Sequence, residues 1–206
     1  QARSPARAAA GHPVAELAAV LRQPWARVVL IVVFTEGMLL FGANAFFATH
    51  LHLTHGLSLS AAGAIVTLYA SGGLIFAAGS RTLVGRLGET GLARAGAALM
   101  AFGLLLLALS PSWWTALPAC ISAGLGFYML HNTLQTNATQ MAPQARGAAV
   151  SLFASAFFLG QTVGVALMAV AVERVGTAVG IAACAPLLLA LGIWFAALRR
   201  DHTHAH

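Results

Sequence analysis

The sequence predicts an all-α membrane protein built on six transmembrane helices, and three observations carry that prediction. Only 8% of its 206 residues are charged while 59% are hydrophobic. A soluble domain carries about 25% charged residues, so this chain has too few to cover a water-facing globule. The mean hydropathy is +0.83, and apolar runs recur at about 20 residues, the helix length that crosses a hydrocarbon core of about 30 Å. The arginines, which make up all eleven basic residues, fall between those runs, where membrane topology places them.

In chain order, Gln1 opens the sequence without an initiator Met, and no short apolar leader with a cleavage site follows. Residues 1–26 read as a cytoplasmic linker with a weak amphipathic turn over 14–21, and the chain is expected to be a fragment of a longer protein. The first span covers 28–49, opened by Arg27 and closed by the polar segment HLHLTHG. The second, 59–79, ends at the basic loop SRTLVGRLGET, and the third, 91–109, stops at Ser110, Pro111 and Ser112. Trp113 and Trp114 occupy an interfacial aromatic belt and open the fourth span, 113–136. The fifth is 147–171. The sixth, 177–198, contains a kink-forming Pro186 and precedes Arg199 and Arg200, after which 199–206 reads as a solvated cytoplasmic tail without fixed structure.

Six spans return both termini to one side. Arg3, Arg7, Arg22, Arg27, Arg81, Arg86, Arg94, Arg146, Arg199 and Arg200 fall on that side and only Arg174 opposite, so both termini are expected in the cytoplasm. The spans divide into two units of three, 28–109 and 113–198. Because three is odd, the second unit enters the membrane from the opposite face, giving an inverted repeat. A net charge of +6 would raise nucleic acid in a soluble protein; here the arginines serve topology and no nucleic-acid partner is expected. Cys120 and Cys184 lie inside apolar spans and read as small buried hydrophobes. No cofactor is expected.

Glu36 is the only acid well inside a span. Nine residues past Arg27, at 1.5 Å per residue, it sits about 13 Å deep. A carboxylate facing lipid there costs several kcal/mol, so it faces protein or a watery cavity, or is protonated. One reading is proton coupling or pairing with a cationic substrate; the other is a structural carboxyl hydrogen-bonded to a neighbouring helix. Asn44, two turns on, shares a similar face. In the fourth span Tyr128, His131, Asn132, Gln135 and Thr139 form one polar stripe. Tyr128 and Asn132 suit a cavity wall, His131 is a candidate proton relay, and Gln135 belongs either to the cavity or to a solvated helix end. Gly160 and Gly164 form a G-x-x-x-G suited to close helix packing. Gln161 beside them fits either a helix interface or a ligand. His50, His52 and His55 lack accompanying Cys or acids and match no zinc spacing, so they read as an outer interfacial loop.

The loop SRTLVGRLGETGLARAG resembles the second copy of the loop motif of the major facilitator superfamily, G-x-L-x-D-R-x-G-R-R, with Leu83, Arg86 and Gly88 in register. It departs at Arg81 for the first glycine, Gly85 for the acid and Glu89 for a base. A polar fourth helix followed by MAPQARG and a glycine-containing helix also looks like helices ten and eleven of such transporters. The resemblance, which extends from about Arg27 to the last span, implies the C-terminal six-helix half of a twelve-helix fold, with residues 1–26 ending the central loop. It implies that the first and fourth spans line a central cavity and that a missing N-terminal half covers the inner face. The nearest likeness is to bacterial proton-coupled drug or sugar efflux permeases, which implies a secondary active antiporter of the inner membrane, with a small-molecule substrate and protons as partners.

Two other classes compete. A half-size membrane subunit would need a partner half, because a lone bundle exposes its polar inner face. An intramembrane Ser-His enzyme would have only Ser71 and His131 to use, without a nucleophile motif or an HExxH metal motif.

Overall fold

A computed structural model describes residues 13–204, and all regular structure among them is helical. The elements are α1 (Pro13–Arg22), α2 (Pro24–Glu36), a π-helical turn (Gly37–Phe41), α3 (Gly42–Asn44), α4 (Phe47–His55), α5 (Leu59–Val66), α6 (Tyr69–Ala108), α7 (Ala116–Gln140) and α8 (Arg146–His204). Short 3₁₀ turns, Trp113–Thr115 and Pro143–Ala145, lead into α7 and α8. Residues 1–12, and with them Arg3 and Arg7, lie outside the described residues.

Among the described residues, three runs are long and apolar enough to cross a membrane: Pro24–His55, Leu59–Ala108 and Pro143–His202. The last two hold 50 and 60 residues, far more than the about 20 that one crossing takes. Each is divided by a glycine. Gly88 has φ 61° and ψ −179° inside α6, and Gly176 has φ 83° and ψ 164° inside α8, a backbone region that residues with a Cβ essentially never enter. The basic segment from Ser80 to Leu87, expected as loop, is therefore helix, and the helical path breaks at Gly88, the one residue inside α6 with non-helical backbone angles.

Local chemistry sets the other boundaries. Pro24 opens α2, where its missing N–H is no loss. Gly56 closes α4 in the left-handed conformation, and Ser58 Oγ then accepts from Ala61 N at 3.1 Å to start α5. The HLHLTHG segment, expected as an outer loop, is helical through His55. His50 is 1% exposed and satisfied by other helices, with Nε2 donating to Leu107 O at 3.2 Å and Nδ1 2.9 Å from Thr177 Oγ1. The expected unstructured tail is corrected as well: α8 continues to His204, because Arg199 pairs with Glu89 and His202 stacks on Trp25 at 4.4 Å. Residues 205–206 lie outside the described residues.

The interior is apolar, with Val29, Val32, Leu40, Leu104, Leu130, Leu134, Leu188 and Phe195 fully buried. Large apolar side chains also cover the exterior, among them Ile31, Leu74, Phe102, Phe158, Leu167 and Ile193, a surface suited to lipid and not to water. Lipid tails are as apolar as these side chains, so helix association rests on close packing. The backbone of Gly160 abuts Phe34 O and that of Gly164 abuts Met38 O. On the other side, a Cβ on Gly37 would come within 2.6 Å of Phe157 O, and one on Gly42 within 2.8 Å of Gly164 O. Glycines on both partners thus bring α8 against α2 and the π turn, and that contact fixes the height of Glu36.

Candidate functional site

Glu36 is the last residue of α2 and is wholly buried. One of its oxygens, Oε2, lies 2.8 Å from His131 Nδ1 on α7, a contact between residues 95 positions apart in sequence. The other, Oε1, is buried with no protein partner. The His131 side chain is 18% exposed and its ring is held between aromatic rings, 4.7 Å from Phe127, 4.6 Å from Phe157 and 5.3 Å from Phe153. Packing therefore fixes the imidazole with Nδ1 toward the carboxylate. A single proton can sit at either end of this contact: on Nδ1, donated to an ionised Glu36, or on Oε2, donated to a neutral imidazole.

The π turn shapes the rest of the site. One extra residue per turn is its defining feature, so Phe41, five residues beyond Glu36, comes round above it. The Phe41 ring meets Phe127 at 5.3 Å, Phe157 at 5.4 Å and Tyr69 at 6.1 Å. Two α turns take about 7.2 residues and the π turn adds about one more, so Asn44, eight residues beyond Glu36, returns to the same face. Its Nδ2 is buried without a partner, and so is the Tyr69 hydroxyl. Glu36 and Tyr69 thus each carry an orphan polar atom beside this aromatic cluster, and Asn44 carries a third about two turns farther along. Tyr69 carried no sequence signal, because YASGG reads as ordinary span.

The remaining residues of the α7 stripe separate from this pair. Tyr128 and Asn132 line an open cavity of about 780 Å³ with Gly73, Ser80 and Arg81 of α6, and Gly73 allows the Tyr128 ring to lie against the α6 backbone. Gln135 is exposed, and Thr139 Oγ1 donates to Thr136 O at 2.7 Å. Gln161 and Thr162 of α8, with Phe41, line another cavity of about 460 Å³. Ser71 Oγ donates to Leu68 O at 2.6 Å while His131 is taken up by Glu36, so the serine and histidine of the enzyme alternative are each bonded elsewhere.

A second polar cluster lies at the ends of α7 and α8. Glu89, just past the Gly88 break, accepts through Oε2 from Arg199 Nε at 2.8 Å and from Asn137 Nδ2 at 2.9 Å. Arg199 also lies over the Trp25 ring at 5.9 Å. Trp25, Asn137 and Arg199 border a cavity of about 920 Å³ lined also by Gln23, Val28, Gln140 and His202. Glu89 marked a departure from the loop motif; its carboxylate ties that segment to two other helices. Of the motif residues in register, Leu83 is half-buried, Arg86 is exposed and Gly88 makes the turn.

Among protein-family models, that of the Major Facilitator Superfamily matches residues 1–154, which include Glu36, Tyr69, the loop motif and all of α7. No curated protein matches the chain.

Proposed function

The chain belongs to the Major Facilitator Superfamily, a family of membrane transporters, and from that premise we propose that it forms the C-terminal six-helix half of a proton-coupled antiporter that expels a small molecule across the inner membrane. The observation that carries this reading is the buried Glu36–His131 pair, 2.8 Å apart near the middle of the first span. An ionisable group at such depth is expensive and therefore functional by default, and this one can hold a proton at either atom.

The six-crossing count follows from chain length. Pro24–His55 supplies one crossing; α7, at 25 residues, supplies another. The 50-residue and 60-residue runs supply two each, dividing at Gly88 and Gly176. The arginine distribution puts both termini in the cytoplasm. With three helices on each side of the Trp113–Thr115 turn, the second unit repeats the first upside down.

In the mechanism, the bundle rocks against an N-terminal half so that the site faces each side of the membrane in turn. His131 orients the carboxylate through Nδ1 and shares its proton. Phe127, Phe153 and Phe157 hold the imidazole in place and keep water away from it. Proton arrival from outside neutralises Glu36 and releases the substrate; proton departure to the cytoplasm restores the carboxylate for the next substrate. Transport by the whole protein in proteoliposomes with an imposed pH gradient tests this. Glu36→Gln abolishes pH-driven uptake into inverted vesicles and weakens substrate binding, because a neutral side chain then stands where protonation would release the substrate. Unchanged coupling and affinity in that variant would make the carboxyl structural.

A further inference from the structure

The cavity of about 920 Å³ between the start of α2 and the ends of α7 and α8 is separate from the Glu36–His131 pair, and its lining is chemically one-sided. Its polar side chains Gln23, Trp25, Gln140, Arg199 and His202 all carry N–H donors. Asn137 also lines it but turns its Nδ2 to Glu89 Oε2 at 2.9 Å and to Thr133 O at 2.8 Å. Among the described residues no carboxylate lines the cavity; Glu89 accepts from Arg199 and Asn137 without reaching it. Ring contacts hold two of the donors in place, since His202 stacks on Trp25 at 4.4 Å and Arg199 lies over the same ring at 5.9 Å. Along the segments that build the cavity, Arg22, Arg27, Arg199 and Arg200 outnumber Glu89 and Asp201. Donors and charge both call for an anion, and basic pockets between helices on the cytoplasmic side of a membrane suit lipid phosphates.

Two features select a lipid over a soluble anion. Val28, Met141 and Leu198 give the cavity apolar walls beside its donors. In addition α1, which runs into the cavity through Arg22 and Gln23, buries Val20 in the core yet leaves Val14 and Leu21 exposed. These two lie seven residues apart on one side of the helix, as on an interfacial helix that lays its apolar side on the acyl boundary. Trp25 stands where an aromatic ring meets headgroups, at the start of the first span. We infer that this cavity is a headgroup site for an anionic phospholipid of the cytoplasmic leaflet. The lipid phosphate accepts from the lining N–H groups, and the acyl chains continue along the apolar walls. The choice of leaflet rests on the proposed cytoplasmic placement of the termini; the site itself does not depend on proton coupling.

Native mass spectrometry of the purified whole protein in detergent tests this, by titration with phosphatidylglycerol or with phosphatidylcholine of the same acyl chains. Phosphatidylglycerol binds at least about fivefold more tightly, the effect of about one charge at the membrane surface, because the choline cation meets the same arginines. Gln140→Glu, at an exposed position, brings a carboxylate into the lining and weakens phosphatidylglycerol binding by about fivefold. Gln144→Glu, exposed but outside the lining, leaves it unchanged. Glycerophosphoglycerol, the same headgroup without acyl chains, does not displace the lipid at equal concentration. Equal binding of the two lipids, unaltered affinity in Gln140→Glu, or an equal loss in both variants overturns the inference. Displacement by the deacylated headgroup would make this a site for a soluble phosphate and overturn the lipid assignment. The headgroup comparison uses the wild-type protein and decides the matter even where a variant folds poorly. Headgroup selectivity with the termini found outside the cell would sink the topology alone; cytoplasmic termini without selectivity would sink this inference alone.

Discussion

Replacing His131 with alanine is the sharpest structural test of the buried pair. Glu36 has one polar partner, His131 Nδ1 at 2.8 Å, and its other oxygen has none. In His131→Ala both oxygens of a fully buried carboxylate stand unpaired. Breaking a buried pair by removing one partner costs about 3–5 kcal/mol, and for a chain of this size each kcal/mol shifts the melting temperature by about 2–4 °C. The expected loss is therefore about 6–20 °C near pH 7. Glu36→Gln added to His131→Ala removes the charge that was stranded, so the double variant regains most of that loss. The penalty in the single variant also shrinks as pH falls, because a protonated carboxyl no longer needs a cation beside it. Melting in detergent micelles, followed by circular dichroism across the four members of the cycle at pH 7 and pH 5, measures all three effects. A His131→Ala loss below about 1 kcal/mol, or no recovery in the double variant, would refute the assignment of an energetically coupled pair.

Three further outcomes follow from the packing and the breaks. Gly164→Val drives a side chain into the Met38 carbonyl and is expected to destabilise by at least about 1–3 kcal/mol, read as a lowered melting temperature, with Gly63→Val in open space as the neutral control. Gly88→Ala places a Cβ at φ 61°, ψ −179°, costing about 1–3 kcal/mol, and protease cleavage at this turn should increase. His50→Leu loses the bonds to Leu107 O and Thr177 Oγ1 and leaves both oxygens buried without that partner, for an expected loss of about 1–3 kcal/mol by the same melting assay.

Much of the architecture was legible because lipid imposes long apolar helices, and composition reports that directly. Gly160 and Gly164 are visible as a pair in sequence, since close packing needs small residues at helical spacing. The glycines on the facing segment, Gly37 against Phe157 and Gly42 against Gly164, are spaced five apart, a π-turn interval, and five is not a period that an α-helical reading looks for. The joining of Glu36 to His131 was not legible either. Periodicity reports which residues share a face of one helix, whereas this contact spans 95 positions and depends on how two helices are rotated against each other. Tyr69 and Asn137 escaped notice for the same reason. His50 and Glu89 illustrate a different limit. A histidine cluster at a span end looks like solvated loop, and an acid replacing a base in a loop motif looks like loss, until the tertiary partners Thr177 and Arg199 supply the reason for each residue.

In the proposed transport cycle, one proton at the Glu36–His131 pair is exchanged for substrate. Proton release measured on substrate binding, by titration calorimetry of the whole protein in buffers of different ionisation enthalpy, tests it most directly. Release of close to one proton per substrate bound is expected in the wild type and none in Glu36→Gln. Equal release in both would place the coupling proton on another group and rule out Glu36 as its carrier.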